Sequence, residues 1–289
     1  MSTKTTALRD RIAAAVTRGP LIAPGAFDGL SARLVELARF EAVYMTGFGA
    51  AASLLGGPDV GLLTATEMAG QAERLATATR LPLIADADTG YGNALNVSRT
   101  VAGYERAGVA AIQLEDQVSP KRCGHMSGKA VVPVAEMVAK LRAAADARED
   151  LLIIARTDAA AVEGILAAID RARRYRDAGA DVLFVEAPET ERDVEMIAAA
   201  LATECPLLFN WVEGGRSPQL PMSRIAELGF AVVLYPIGAL LAATAGIRTF
   251  LAELSCAGTP PLSALPAFDE FTTLVGLPEV RDREACYAC

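Results

Sequence analysis

The sequence is poor in several residue types, and each scarcity narrows the range of functions. Among its 289 residues it has one histidine, one tryptophan and only 6% aromatic residues. Lysine and arginine number 27 against 35 aspartate and glutamate residues, which gives a formal net charge of −8. Nucleic acid is therefore not expected as a partner, because binding phosphates requires Lys and Arg. Anionic small substrates stay open, since one arginine or a metal ion can reverse the field inside a single cleft.

Cysteine is scarce and irregularly spaced, which argues against a disulfide framework. There are five: Cys123, Cys205, Cys256, Cys286 and Cys289. An odd number at uneven spacing favours a reducing compartment, so we predict a cytoplasmic protein. The last two form a C-x-x-C pair, but a structural zinc site needs four ligands and no second pair is present.

Long uncharged runs are rare as well. Residues 228–247 carry no charge, but Pro236 and Gly238 divide the run into pieces that are each too short to span a bilayer. We interpret the run as a buried strand, a turn and the start of an apolar helix, and we expect no membrane partner. The first eleven residues carry charges where a signal peptide would need its apolar core.

What the sequence does contain is a series of eight short apolar runs. They are continuous rather than alternating, which is typical of parallel strands buried on both faces. The predicted strands are Leu21–Phe27, Ala42–Gly47, Pro82–Asp88, Ala111–Asp116, Leu151–Asp158, Val182–Ala187, Pro206–Trp211 and Ala231–Pro236. Amphipathic helical patterns follow five of them, at Thr66–Arg80, Asn93–Ala107, Pro133–Arg148, Val162–Ala178 and Thr190–Thr203.

Glycine ends several of these segments before the next strand. Gly108, Gly179 and Gly229 each stand where a left-handed residue would turn the chain back toward the sheet. Eight such units predict an α/β fold of the (β/α)₈ TIM barrel type, with a doubly wound open sheet as the alternative. We predict one domain over residues 1–289, with a core at about 20–255 and a C-terminal helical segment at about 262–289.

Charged and polar residues cluster at the carboxyl ends of the predicted strands, where barrel enzymes carry their active sites. They include Asp86 and Asp88 after the third strand, Glu115 after the fourth and Asp59 in an earlier loop. Four carboxylates converging on one mouth would repel each other, and a divalent cation is the simplest counter-charge. Oxygen ligands favour Mg²⁺ or Mn²⁺ over zinc. On a strand, Asp86 and Asp88 would point to the same face.

The loop after the fourth strand is the most distinctive segment. It carries Cys123 between two basic residues and Gly124, followed by the only histidine, His125. Flanking Lys121 and Arg122 predict a lowered pKa for the Cys123 thiol. The loop glycines would allow opening and closing over a site.

These motifs resemble the isocitrate lyase and phosphoenolpyruvate mutase superfamily. The resemblance rests on Lys121–His125 (KRCGH), on Leu114–Gln117 (LEDQ) and on Asp86–Gly92 (DADTGYG), with further matches at the other strand ends, and it spans about residues 20–255. It implies a barrel whose C-terminal helix is swapped between subunits, a homotetramer built as a dimer of dimers, and bound Mg²⁺. The cysteine indicates the lyase branch, which cleaves a C–C bond in 2-hydroxy di- or tricarboxylates of the alkyl-malate or 2-methylisocitrate type.

The resemblance also implies roles for individual residues. Asp86 would bind the metal directly, while Asp59, Asp88 and Glu115 hold its waters. Cys123 would protonate the departing enediolate, with Arg156 and Glu115 as the other catalytic residues. The remaining substrate contacts are expected from Tyr44, Thr46, Gly47, Phe48, Gly124, His125, Arg156, Glu186 and Asn210.

Some positions depart from the superfamily pattern and bear on the substrate. Phe48 stands where relatives often have glycine, and Gln113 where methylisocitrate lyases tend to have histidine. The segment Val212–Gly215 (VEGG) looks more like lyases that act on alkyl-substituted malates. Trp211 beside it is expected to narrow the substrate side.

Two other functional classes, a dinucleotide-binding oxidoreductase and a barrel without catalytic function, fit the sequence less well. Gly47–Ala52 fits a dinucleotide fingerprint, but such a site needs an acidic residue about 20 residues further on, at the end of the next strand, and the next predicted strand ends with Asp86 and Asp88, about 40 residues away. A barrel without catalytic function would have no use for the acidic cluster and Cys123. Within the superfamily, an oxaloacetate hydrolase or decarboxylase and a phosphonate mutase stay open.

Overall fold

A computed structural model describes residues 2–262 and 265–287 of the chain. Cys289, the second cysteine of the C-x-x-C pair, lies outside these residues. The chain divides into two compact units, residues 1–240 and residues 241–289. The prediction of a single domain over the whole chain stays a prediction.

The first unit contains a closed barrel of eight parallel strands. The strands follow one another around the barrel in chain order, and the last strand pairs with the first, with Leu21 opposite Val232. They are β1 (Leu21–Ala26), β2 (Val43–Met45), β3 (Leu83–Asp86), β4 (Ala111–Glu115), β5 (Leu152–Thr157), β6 (Val182–Val185), β7 (Leu207–Asn210) and β8 (Phe230–Tyr235). This confirms the predicted TIM barrel and excludes the open sheet. Each strand lies where a continuous apolar run predicts one, with ends that differ by one or two residues.

Helices surround the barrel. In the first unit they are α1 (Thr3–Ala13), α2 (Ala15–Arg18), α3 (Gly29–Leu37), α4 (Gly47–Leu55), α5 (Ala65–Ala78), α6 (Ala94–Arg106), α7 (Val134–Ala147), α8 (Ala160–Glu163), α9 (Ile165–Asp177), α10 (Glu191–Leu201) and α11 (Met222–Glu227). The predicted helix over residues 162–178 is wrong in its first turn. Gly164, with φ of 92°, separates α8 from α9 there.

Local chemistry fixes where these helices begin and end. Reciprocal side-chain caps begin α5 at Thr64 and α6 at Asn93. Gly108, Gly179 and Gly229 have φ of 82°, 109° and 83°, so the predicted left-handed stops are confirmed.

The core has two layers. One lies inside the barrel, where Tyr44, Ile84 and Phe184 are buried with other inward-facing residues. The other lies between the sheet and the helices, and it includes Met68 and Tyr175. Both faces of every strand are buried, and the charged side chains within the strands lie at or next to their carboxyl ends.

The second unit contains most of α12 (Gly238–Ala257), together with α13 (Phe268–Leu274) and α14 (Leu277–Tyr287), which contact each other. The C-terminal segment thus holds two helices where the sequence suggested one. Among the described residues, α12 is the one helix whose length and apolar composition would let it cross a membrane, and it buries none of its residues within the chain. A single helix of this kind also occurs in soluble proteins.

Candidate active site

A cavity of about 230 Å³ opens at the carboxyl ends of the strands. All the predicted site residues except Gly47, Asp88 and Glu115 line it, and each of these three contacts a residue that does. A larger cleft of about 630 Å³ lies between α5 and α6, but it contains none of the predicted site residues. We therefore place the candidate site in the smaller cavity.

The end of β3 supplies a carboxylate whose orientation is fixed by the backbone. Asp86 Oδ2 accepts a hydrogen bond from the Gly47 amide at 3.3 Å, and Asp86 Oδ1 accepts one from the Asp88 amide at 3.0 Å. A Cβ on Gly47 would lie 2.5 Å from Asp86 Oδ2, so only glycine allows this approach. The prediction that Asp86 and Asp88 share a strand face is wrong. The strand ends at Asp86, and Asp88 has φ of 48° in a turn.

Lys121 lies among the acidic residues. Its Nζ is 2.7 Å from Asp59 Oδ1 and 2.9 Å from Asp88 Oδ1, and its side chain is almost fully buried. Burial alone would lower the pKa of Lys121, but Asp88, Asp86, Glu115 and Asp59 raise it well above its ordinary value. Burial raises the pKa of Asp88 to about 6, with Lys121 opposing the shift.

Arg156, at the end of β5, is surrounded by three carboxylates. Its Nε is 2.9 Å from Asp158 Oδ2 and 3.3 Å from Glu115 Oε2, and its Nη1 is 3.1 Å from Glu186 Oε2. The guanidinium also lies over the ring of Phe184, 5.3 Å from its centroid. Burial favours a raised pKa for Asp158, yet Arg156 and Lys129 outweigh it and lower the pKa to about 2. Arg156 therefore stays charged, and it is one of the residues that line the cavity.

Glu186, His125 and Asn210 form another part of the cavity wall. Asn210 Nδ2 donates to Glu186 Oε2 at 3.1 Å, and His125 Nε2 lies 3.2 Å from Glu186 Oε1. His125 Nδ1 accepts the Arg216 amide at 2.9 Å, which leaves the proton of a neutral ring on Nε2, toward Glu186. Burial would raise the pKa of Glu186, but Arg156 and His125 lower it.

Residues from β2 and α4 complete the inner wall. Tyr44 Oη donates to Gln113 Oε1 at 3.3 Å, and burial raises the pKa of Tyr44 well above its ordinary value. Thr46 caps α4 by accepting the Gly49 amide, so the first turn of that helix, with Gly47 and Phe48, faces the cavity. Amide groups at a helix start are suited to bind a carboxylate.

The loop that carries Cys123 is folded over the cavity. We name residues 117–131 the cysteine loop; its ends are joined by a bridge between Gln117 and Val131. The Cys123 amide donates to the Asp59 carbonyl at 3.2 Å. Gly124 lies against Arg156 and Glu186 so closely that a Cβ there would be 2.4 Å from Arg156 Nη2.

The predicted lowering of the Cys123 pKa is wrong. Burial raises the pKa of the thiol, and the backbone amide of His125 and the charge of Arg156 lower it only in part. The two flanking cations point elsewhere, Lys121 to Asp59 and Asp88, and Arg122 to the Ser127 carbonyl. The thiol therefore stays protonated at neutral pH, which suits a proton donor better than a nucleophile.

Three features were not anticipated. The Lys129 ammonium contacts both the Gly124 carbonyl and Asp158 Oδ1. Four apolar residues also line the cavity, Met126, Val212, Pro236 and Ile237. Trp211, expected to narrow the cavity, does not line it; the indole packs against Tyr235 and donates to the Leu220 carbonyl at 3.0 Å.

The acidic residues of the site bear on whether it can hold a divalent cation. Within residues 2–262 and 265–287, no three His, Cys, Asp or Glu side chains are close enough to hold one ion together. Glu115 is buried, its carboxyl oxygens accept no hydrogen bond, and burial raises its pKa well above its ordinary value. This donor set fits a hydrated Mg²⁺, which commonly takes one or two protein carboxylates and keeps several waters.

Comparison with known proteins identifies similar chains. Residues 13–255 match the family model described as phosphoenolpyruvate phosphomutase. The chain is 45% identical over 276 residues to 2,3-dimethylmalate lyase of Eubacterium barkeri, covering 94% of this chain and 95% of that protein. It is 41% identical over 270 residues to 2-methylisocitrate lyase of Aeropyrum pernix, covering 93% and 87%. A crystal structure of 2,3-dimethylmalate lyase superposes with a TM-score of 0.94 at 39% identity, covering 100% of this chain and 96% of the other.

Proposed function

Because the chain belongs to the phosphoenolpyruvate phosphomutase family and its relatives at 45% and 41% identity are lyases, we propose a specific reaction for it. The enzyme cleaves the C2–C3 bond of a 2-hydroxy dicarboxylate of the alkyl-malate type and releases a 2-oxo acid and a second carboxylate. The observation that carries this proposal is a half-buried thiol, Cys123, in the same cavity as Arg156 and Asp86.

The lining of the cavity favours an alkyl-substituted malate over a tricarboxylate. The Lys and Arg side chains that line it are Lys121 and Arg156, and both are already paired with carboxylates. The apolar lining residues Met126, Val212 and Ile237 offer contact to an alkyl group. A third carboxylate would have no unpaired cation to bind, and Glu213, which also lines the cavity, would repel it. The similarity to 2,3-dimethylmalate lyase supports the same substrate class.

In the proposed reaction each half of the substrate has its own contacts. The segment Thr46–Phe48 at the start of α4 binds the carboxylate of the forming 2-oxo acid; the Gly47 amide within it also fixes Asp86. Arg156 holds the oxygen on which charge develops, as a two-pronged donor. The C2 hydroxyl gives its proton to a carboxylate of the site as the C2–C3 bond breaks, and its oxygen becomes the carbonyl of the 2-oxo acid. The electron pair of the broken bond stays on C3, delocalised as an enediolate of the second carboxylate.

Cys123 then gives its proton to C3 and completes the second product. The cysteine loop excludes water from the enediolate while it is closed. Tyr44, Gly124, His125, Glu186 and Asn210 shape the side of the cavity on which the second carboxylate lies. Glu186 and Asn210 hold each other by a hydrogen bond, so they present a rigid polar surface.

A bound Mg²⁺, or Mn²⁺ in its place, would lower the pKa of the substrate hydroxyl and polarise the new carbonyl. Asp86 would hold it directly, and Asp59, Asp88 and Glu115 would hold its waters. The cation would offset the excess of carboxylates over cations at this end of the barrel. Support comes from phosphonopyruvate hydrolase, 32% identical with a TM-score of 0.89, whose solved structure holds oxalate and Mg²⁺.

Exposed apolar surface supports the homotetramer that we propose, a dimer of dimers with a swapped C-terminal helix. On α12, Leu241, Ile247 and Leu251 are 46%, 59% and 53% exposed. On α3, a leucine face comprising Leu30, Leu34 and Leu37 is also exposed. A neighbouring chain's α12 would cover such a face. Light scattering should give the mass of a tetramer, and a monomer at working concentration would contradict this.

We further propose a cytoplasmic location and small carboxylates as the binding partners, with neither nucleic acid nor membrane. Cys123, Cys205, Cys256 and Cys286 are all free thiols among the described residues, as expected in a reducing compartment.

A substrate panel tests the proposed function. Malate, citramalate, 2,3-dimethylmalate, isocitrate, 2-methylisocitrate and oxaloacetate are each incubated with the enzyme and Mg²⁺, and the products are quantified. We expect the fastest release of a 2-oxo acid from an alkyl-substituted malate, and none after exhaustive chelation. Turnover confined to oxaloacetate would favour a hydrolase instead, a candidate that rests on the structural similarity to oxaloacetate acetylhydrolase, with a TM-score of 0.93.

A further inference from the structure

Lys129 is a lysine on the cysteine loop whose side chain is only 2% exposed. An ammonium in such a position is costly unless it is fully paired. Its Nζ donates to the Gly124 carbonyl and to Asp158 Oδ1, the latter at 2.9 Å. Lys129 does not line the cavity, so it does not reach a bound substrate. The burial of its charge therefore needs a different explanation.

Through its two contacts, Lys129 joins the cysteine loop to Asp158, which directly follows β5 at the carboxyl end of the barrel. Gly124 directly follows Cys123 and lies against Arg156 Nη2. Asp158 binds Arg156 through both carboxylate oxygens, at 2.9 and 3.0 Å. One ammonium thus joins the residue next to the thiol with the carboxylate that orients the arginine.

Asp158 is itself held firmly, which makes it a fixed anchor. Its amide donates to Asp116 Oδ1 at 2.9 Å, and the neighbouring Thr157 hydroxyl donates to Asp116 Oδ2 at 2.7 Å. Asp116 also accepts the Tyr175 hydroxyl at 2.7 Å. All these groups are buried. The movable end of the contact is therefore the loop, and opening the loop means separating the ammonium from Asp158 or from Gly124.

We infer that Lys129 is a positioning residue that seats the cysteine loop on the Arg156–Asp158 pair and so places the Cys123 thiol over the cavity. The inference deepens the proposed function, because it says how the proton donor is held in place. It concerns the closed position of the loop, which exists with or without turnover.

The rate at which Cys123 is alkylated reports how often the loop opens. Iodoacetamide reacts with the purified full-length enzyme at one fixed alkaline pH without substrate, and mass spectrometry follows Cys123 and the exposed Cys256 in the same sample. In Lys129→Met the chain length is kept and the charge is lost. The ratio of the Cys123 rate to the Cys256 rate should rise about tenfold or more, as expected when a charge-assisted hydrogen bond is removed.

Two further variants distinguish positioning from a general loss of structure. Lys129→Arg keeps the charge and several donors, and it should return the ratio to within about threefold of the wild-type value. Lys140 is another buried lysine, outside the loop, whose Nζ donates to the Thr89 carbonyl at 3.2 Å. Lys140→Met removes a comparable buried contact and should leave the ratio at its wild-type value.

A wild-type alkylation ratio in a folded Lys129→Met variant would overturn the inference. Should that variant fail to fold, Lys129→Gln gives the same comparison, and an unchanged ratio there overturns it equally. On the best substrate of the panel, kcat should fall in Lys129→Met and recover in Lys129→Arg. Because alkylation needs no turnover, a wrong substrate leaves the alkylation result intact and contradicts only the proposed function.

Discussion

Replacing Gly124 by alanine should lower kcat by about a hundredfold while leaving the fold intact. The added Cβ would lie 2.4 Å from Arg156 Nη2 and 2.6 Å from Glu186 Cγ. Ordinary contacts begin near 3.4 Å, so one side must move by about 1 Å. Arg156 is held by Asp158 and Glu186 is held by Asn210, so neither can yield easily. The cysteine loop must therefore rise.

The displacement of the loop sets the size of the effect. Cys123 adjoins Gly124 and would shift by a similar distance, and a misplacement of about 1 Å can cost about 10²-fold in rate. The loop has room to lift away from the barrel, so the free energy of unfolding should change by no more than about 1 kcal/mol. Steady-state kinetics on the best substrate, together with denaturant unfolding, measures both quantities.

A matched glycine provides the control. Gly70 lies within α5, where the nearest atom to an added Cβ is Arg74 Nη1 at 3.9 Å. Gly70→Ala should keep wild-type turnover and raise stability by about 0.5–1 kcal/mol through helix propensity. Wild-type turnover in Gly124→Ala would refute the view that the closed loop rests on Arg156 and Glu186 during the reaction.

Three further predictions concern the metal, the thiol and the buried network. Asp86→Asn should weaken Mg²⁺ binding in calorimetry and abolish turnover; an unchanged affinity would show that the ion binds elsewhere. Because burial raises the pKa of Cys123 above its ordinary value of 9.0, its alkylation rate should still increase as the pH rises above that value; a rate that levels off below pH 9.0 would contradict the protonated thiol. Asp116→Asn should cost about 3–5 kcal/mol of stability, since it leaves Arg171 and other buried donors without their carboxylate; a wild-type denaturation midpoint would argue against this network.

The strands could be predicted from the sequence because each is a continuous apolar run buried on both faces. Several helices could not. α4 begins with Gly47, Phe48 and Gly49, which read as a nucleotide-binding pattern rather than as a helix. α8 and α9 form one hydrophobic pattern, and only the left-handed conformation of Gly164 separates them.

The site was predictable to the extent that strand ends determine it. Polar residues after buried strands must converge at one end of a parallel barrel, so Asp86, Arg156 and Glu186 could be placed together in advance. The contacts that the cysteine loop makes with the barrel could not be predicted. Nothing in the sequence shows that Lys129 reaches Asp158, or that Lys121 turns away from Cys123 toward Asp59. Lys121 and Arg122 are adjacent to Cys123 in the chain, but their charges lie on other partners. The sequence therefore predicts the wrong direction for the shift of the Cys123 pKa.

Cleavage of the best substrate by Cys123→Ser tests the central claim most directly. A serine hydroxyl fills a similar space but is a far weaker acid than a thiol. If Cys123 protonates the enediolate, kcat should fall by about 10²–10⁴-fold, the usual contribution of a placed acid. Binding of the 2-oxo acid product should be retained, because Arg156 and the start of α4 hold that half. Near wild-type C–C cleavage by this variant would contradict the account, because the proton would then come from elsewhere.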